Sequence, residues 1–202
     1  MSYHSIIERI RNAVSDSAYL VPTGHLDPSE RFVLDELAAM IGQAGFDPDD
    51  AREQVERWHS EGRLDRPMKY SALGVIAASP GVRDYRTATQ LAALQEMAAL
   101  EIGGPDLDSR LASVDRHRGV VAFLMGRYEV ALESFARTLE RERSAENLSN
   151  VLSSLLKLGE KDEASELLAR IRHAFPEHIR IGVERAVASD DDLLPLRDRP
   201  AI

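Results

Sequence analysis

Gly126-Arg127-Tyr128-Glu129-Val130-Ala131-Leu132-Glu133-Ser134-Phe135 and Gly159-Glu160-Lys161-Asp162-Glu163-Ala164-Ser165-Glu166-Leu167-Leu168 are two versions of one pattern, 33 residues apart. In each, a segment ending in Leu124-Met125 or Lys157-Leu158 meets a glycine, alanine follows five residues later, and a bulky apolar residue comes four after that. Glycine permits a tight turn between antiparallel helices. Ala131 and Ala164 let the second helix approach the first, and Phe135 and Leu168 fill the space between successive hairpins. The pattern predicts two helical hairpins, 106–125 with 128–141 and 146–158 with 161–173. A further helix over about 177–188 reads as a cap over the exposed edge of the second hairpin.

Toward the N-terminus the periodicity stays helical. Ile6, Ile7, Ile10 and Val14 place an amphipathic helix over 3–16. Asp27-Pro28-Ser29-Glu30 is a start signal, with a capping acid, a proline suited to the first helical position and a glutamate able to reach back. The helix it opens carries Val33, Leu37, Met40, Ile41 and Ala44 and ends at Gly45. Asp47-Pro48-Asp49-Asp50 opens another, with Ala51, Val55 and Trp58 on one side and a stop at Gly62. Trp58 is expected in the core. A short apolar helix is predicted around Tyr70 to Ala78, closed by Ser79-Pro80-Gly81. Residues 84–101 form a strong helix with Leu91, Leu94 and Ala98 as its stripe, stopped by Gly103-Gly104-Pro105. The apolar edge of this helix is a candidate homodimer surface. After Ser189 come Asp190-Asp191-Asp192, Pro195 and Arg199-Pro200, which read as a frayed tail. Strand signals are nearly absent, so the expected class is all-α.

Composition narrows the function. The 202 residues carry 25 Lys+Arg against 34 Asp+Glu, a formal charge of -9 that disfavours nucleic acid or an anionic membrane as partner. No cysteine is present, which excludes disulfides, thiolate metal sites and a cysteine nucleophile. No apolar run approaches the ~20 residues of a membrane span, and no targeting segment is visible, so a cytoplasmic protein is expected.

The repeated hairpin resembles the tetratricopeptide repeat, a helix–turn–helix unit of about 34 residues that stacks into a superhelix. Gly119 matches the small residue in the middle of the first helix, Tyr128 the aromatic after the turn, and Pro176 the closing proline. Asp115 and Leu148 depart from the family's frequent aromatic, Leu152 from its mid-helix glycine, and Arg143 from the first unit's proline. Two units over 112–177 carry the resemblance. It implies a domain plan of an N-terminal helical region over 1–80, a repeat region over 81–189 and a tail over 190–202. The N-terminal region is either degenerate repeats or an unrelated helical domain.

What the resemblance implies for function is a partner-binding face on the first helix of each unit. By the repeat's phase, Ser113, Arg116, Val120 and Phe123 face inward in one unit, and Glu146, Ser149, Asn150, Ser153 and Lys157 in the next. Partner side chains would be buried against Val120, Phe123 and Leu156, with Arg116, Asn150 and Lys157 orienting the segment. Val120 stands where a carboxylate-clamping member would place an asparagine. The plain alternative for each polar residue is an ordinary solvated surface position.

Catalytic constellations are missing. The histidines His4, His25, His59, His117, His173 and His178 form no H-E-x-x-H motif, and His173 and His178 read as a helix-end pair rather than a zinc site. No phosphate loop or G-x-S-x-G occurs. The expectation is a non-enzymatic scaffold, adaptor or chaperone-like module for a protein or peptide, without cofactor or metal. An enzyme built from Glu56, His59, Arg63 and Arg66 has the least support. The alternative is a transcriptional regulator, because Leu37 to Leu64 resembles the helix-turn-helix core of winged-helix proteins. Against it, the would-be recognition helix carries Asp49, Asp50, Glu53 and Glu56 against Arg52 and Arg57, and no wing pattern follows Arg63.

Overall fold

The computed structural model describes residues 46–77 and 84–197, together with Ile6, Leu37, Ala39, Met40, Ser79 and Val82. The helices expected over 3–16 and from Asp27 to Ala44 lie outside the described residues apart from isolated positions, as do Pro80, Gly81 and 198–202. Among the described residues the fold is all-helical, without strands. They divide into two compact units between Val121 and Ala122. The division falls inside a continuous helix.

The first unit contains α1 (Pro48–Ser60), α2 (Arg66–Ala77), α3 (Tyr85–Ile102) and most of α4 (Leu107–Leu124). Asp47 caps α1 as its sequence suggests, its Oδ1 accepting from the Asp49 amide at 2.8 Å, with Pro48 at the first helical position. Ala51, Val55 and Trp58 are buried, and the Arg63 guanidinium covers the Trp58 ring at 5.4 Å. Helix α2 starts four residues earlier than expected. Asp65 Oδ1 accepts the Met68 amide at 2.8 Å and Pro67 sits in the first turn, so Asp65-Arg66-Pro67 is a start signal like Asp47-Pro48.

Helix α2 packs along α3 and against α1. The core joins Val55, Trp58 and Leu64 to Leu73, Ile76, Leu91 and Ala98. The approach of α2 to α3 is closest at Gly74, where a Cβ would lie 2.6 Å from Gln95 Nε2. Asp84 caps α3 through the Thr87 amide at 2.9 Å, and Gly103 ends it at φ +60°.

The second unit begins with the last turn of α4 and continues through α5 (Tyr128–Arg141), α6 (Ala145–Lys157), α7 (Lys161–Ala174) and α8 (Glu177–Ser189) to a 3₁₀ helix, Asp191–Leu196. Its two glycine corners are one local structure built twice. Gly126 (φ +71°) donates to Phe123 O at 2.9 Å and Arg127 to Ala122 O at 2.8 Å. Gly159 (φ +85°) donates to Leu156 O at 3.1 Å and Glu160 to Leu155 O at 2.9 Å. Both are Schellman endings, with the six-to-one bond that satisfies an orphan helix carbonyl. Burial repeats at the same offset: Ala131, Ser134, Phe135 and Thr138 in α5 correspond to Ala164, Leu167, Leu168 and Ile171 in α7.

Helix α6 is the centre of this unit. It packs against α5, α7, α8 and the 3₁₀ helix, and buries Leu148, Val151, Leu152 and Leu155. Ser144 caps it through the Asn147 amide at 3.2 Å. Helix α8 contributes Ile179, Val183 and Val187 to the core. The segment expected to fray is structured through Arg197: Asp190 caps the 3₁₀ helix through the Asp192 amide at 2.9 Å, and Leu193 and Leu196 are fully buried. The apolar contribution of two leucines outweighs the disordering tendency of the acidic run.

Candidate functional site

The eight residues expected to bind a partner fall in both units. Arg116 and Val120 belong to the first, where Arg116 is half-buried and Val120 is 37% exposed. Phe123, Ser149, Asn150, Ser153, Leu156 and Lys157 belong to the second. Phe123 is half-buried at the end of α4, and its ring meets Tyr128 edge-on with centroids 5.2 Å apart.

Five of the six lie on α6, and Ser149, Ser153 and Lys157 form a single stripe at four-residue spacing. Ser149 and Ser153 are buried, not solvent-facing. The Ser149 hydroxyl donates to Ala145 O at 2.8 Å, a local bond that turns its polar atom into its own helix. Asn150 and Leu156 are half-buried, and the Asn150 carbonyl accepts from the Ser154 hydroxyl at 2.8 Å.

Lys157 is the charged end of the stripe. Its Nζ lies 2.5 Å from Asp192 Oδ1 on the 3₁₀ helix, with both side chains about one-third exposed. The hydrogen bond to Asp192, reinforced by the same carboxylate's charge, raises the lysine pKa above its ordinary value. The neighbouring latch is Arg197, whose guanidinium donates to Val187 O at 2.7 Å and to Asp190 O at 3.1 Å. These carbonyls close α8, where a helix end favours positive charge.

Sequence reasoning did not single out Asp192, Leu193, Leu196 and Arg197. The available signal was a capping acid followed by two leucines three residues apart, a pattern too short for a periodicity test. It also passed over Asn147. That side chain is fully buried at the start of α6, its Nδ2 donating to Glu142 O at 3.1 Å while Oδ1 has no partner.

The residues of the enzyme alternative are engaged separately. His59 Nδ1 lies 2.8 Å from Leu64 O, Glu56 accepts from Lys69 at 2.8 Å, Arg63 covers Trp58, and Arg66 lies 3.9 Å from Glu101. The His59 contact spans the turn after α1 and the Glu56–Lys69 bond joins α1 to α2, whereas the Arg66–Glu101 pair is exposed on both sides. Among the described residues no group of three His, Asp or Glu side chains is placed to hold a metal ion, and no helix is long and apolar enough to cross a membrane.

For the DNA-binding alternative, the segment after Arg63 folds as α2 where a wing would require strands. On α1, Asp49 and Asp50 are exposed, and Arg52 is drawn to Asp49 at 3.4 Å and Glu53 at 3.8 Å. Comparison of the chain with protein-family models, curated proteins and solved structures finds no match.

Proposed function

We propose that this chain is a non-enzymatic protein-interaction module, a tetratricopeptide-like stack of helical hairpins that holds a segment of a partner protein against α6. The observation that carries the reading is the corner built twice, at Gly126 and Gly159, with the same positive φ, the same pair of hydrogen bonds and the same buried positions after it. A unit of this kind buries its apolar side only by stacking on a neighbour, which leaves a helix face for an extended or helical ligand. The accessible residues of α6 have the chemistry for that role: an amide at Asn150, an apolar edge at Leu156 and a cation at Lys157. The scattered, structural engagement of His59, Glu56, Arg63 and Arg66 supports a binding role over a catalytic one.

Crosslinking tests this. A photoreactive residue replacing Asn150 should give a discrete protein adduct in cells, and the same residue replacing the exposed Glu140 should not. Equal labelling from both positions would remove the reading. So would duplex DNA binding that weakens steeply with salt, the signature of the regulator alternative.

A further inference from the structure

The α6 face already holds a ligand-like segment, and the segment's own chemistry states what the face accepts. Within the 3₁₀ helix, Asp192 places its carboxylate on Lys157 and Leu193 and Leu196 are fully buried, while Arg197 just beyond it donates to Val187 O and Asp190 O. Leu194, between the two leucines, is 45% exposed, and Pro195 is exposed as well. The engaged positions of the 3₁₀ helix therefore read acid-Leu-x-x-Leu, with the two intervening residues free to vary.

The backbone bonds of this segment are its own. Leu193 N–H donates to Asp190 O and Arg197 N–H to Leu194 O, both at 3.1 Å. Its hold on α6 includes an ion pair that water can reach from both sides, since each partner is about one-third exposed. The helices that receive it also bury Leu148, Val151, Leu152 and Leu155 of α6 and Ile179, Val183 and Val187 of α8. A six-residue helix held by its side chains against longer helices is the arrangement of a bound peptide.

We infer that the α6–α8 face is a peptide site specific for acid-Leu-x-x-Leu segments of a partner protein, occupied in the resting chain by its own residues 191–197, which the partner must displace. This deepens the interaction-module reading and rests on it. Charge fits as well as shape: Lys157 is the cation of the α6 stripe and selects an acid ahead of the first leucine. Competition sets the apparent affinity, because a ligand for a mostly occupied site binds more weakly by the fraction of time the site is open.

The probe is a fluorescent synthetic peptide of residues 189–197, Ser-Asp-Asp-Asp-Leu-Leu-Pro-Leu-Arg. The full-length Leu193→Asp/Leu196→Asp variant, whose own segment is released, should bind it at least tenfold more tightly than the parent chain does. Adding Lys157→Glu should return binding to the parent level or below. A released variant that keeps its helical circular dichroism yet binds no better than the parent overturns the inference. A concentration-dependent dimer of the parent chain formed by exchanging the segment between copies also overturns it, since the occupant would then be a second copy.

Hydrogen exchange on the unmutated chain decides the matter should the variant not fold. Amides 191–197 should exchange at least 100-fold faster than those of α8, and saturating unlabelled peptide should accelerate them further. Exchange as slow as that of α8, or unaffected by peptide, rejects displacement. A discrete adduct at position 150 without peptide binding would leave the interaction module standing and remove this inference alone; loss of both removes both.

Discussion

Gly182 in α8 faces Ala145 in α6 so closely that a Cβ added to the glycine would lie 2.5 Å from the alanine Cβ. No flexible side-chain end is available to move aside, because the obstacle is itself a Cβ. The crossing of α8 over the first turn of α6 is thus set by the smallest residue pair that can make it.

Replacing Gly182 with alanine sets two effects against each other. Helix propensity favours alanine by about 1 kcal/mol, whereas overpacking a fitted contact costs about 1–3 kcal/mol. The contact should win, with Gly182→Ala destabilising the chain by about 1 kcal/mol. In an Ala145→Gly background the same change should become neutral or stabilising. Urea unfolding of the four proteins measures the coupling; an equal effect in both backgrounds would show that the helices move apart instead.

Gly126 and Gly159 make a contrasting case. A Cβ at either would meet nothing within 4 Å, so any cost of alanine comes from the backbone, at φ +71° and +85°. Gly126→Ala and Gly159→Ala should each cost about 1–2 kcal/mol, and nearly equally, because the corners are the same structure. Denaturant midpoints at constant slope are the readout. A cost at only one corner would mean that the other rearranges.

The corners were legible in the sequence because their chemistry is local: glycine, then alanine at a fixed distance, then a bulky residue. The same holds for the cap at Asp47 and for the stop at Gly103. Asp65 was missed as a cap because the first buried residue of α2 is Ala72, a full turn beyond Met68, so the apolar stripe begins late. The grouping of Ser149, Ser153 and Lys157 on one helix face follows from four-residue spacing alone. The pairing of Lys157 with Asp192 does not. It depends on the 3₁₀ helix folding back on α6, a contact between positions about 35 apart in a segment too short and too acidic to show a period. The division between Val121 and Ala122 was equally invisible, since α4 runs through it without a break in helical pattern.

His117 should make the first unit acid-sensitive. Its Nδ1 lies 3.3 Å from Gln95 Oε1, and burial, with a smaller contribution from the Arg116 charge, lowers its pKa below 6.5. The folded state thus favours the neutral ring. Its contribution to stability is complete above pH 6.5 and is lost as pH falls through the lowered folded-state value, because protons then bind the unfolded chain preferentially. His117→Gln should flatten this part of the stability profile. A profile unchanged by the substitution would assign the acid sensitivity to other groups.

Tyr70 ties α2 to α4 by donating its phenolic proton to Arg110 O at 2.9 Å. Burial raises its pKa above 10.0, against smaller opposing effects from a Ser113 hydrogen bond and the charges of Arg110 and Arg116. Tyr70→Phe keeps the ring and removes one hydrogen bond, for an expected loss of about 1 kcal/mol near neutral pH. The raised pKa fixes the direction of the alkaline effect: the neutral phenol's contribution is complete below pH 10 and is lost as pH rises through the folded-state value. The phenylalanine variant should lack that loss, so the two proteins should converge in stability at high pH. Urea midpoints across the alkaline range test this, and a gap that stays constant with pH would show that the phenol does not ionise on unfolding in that range.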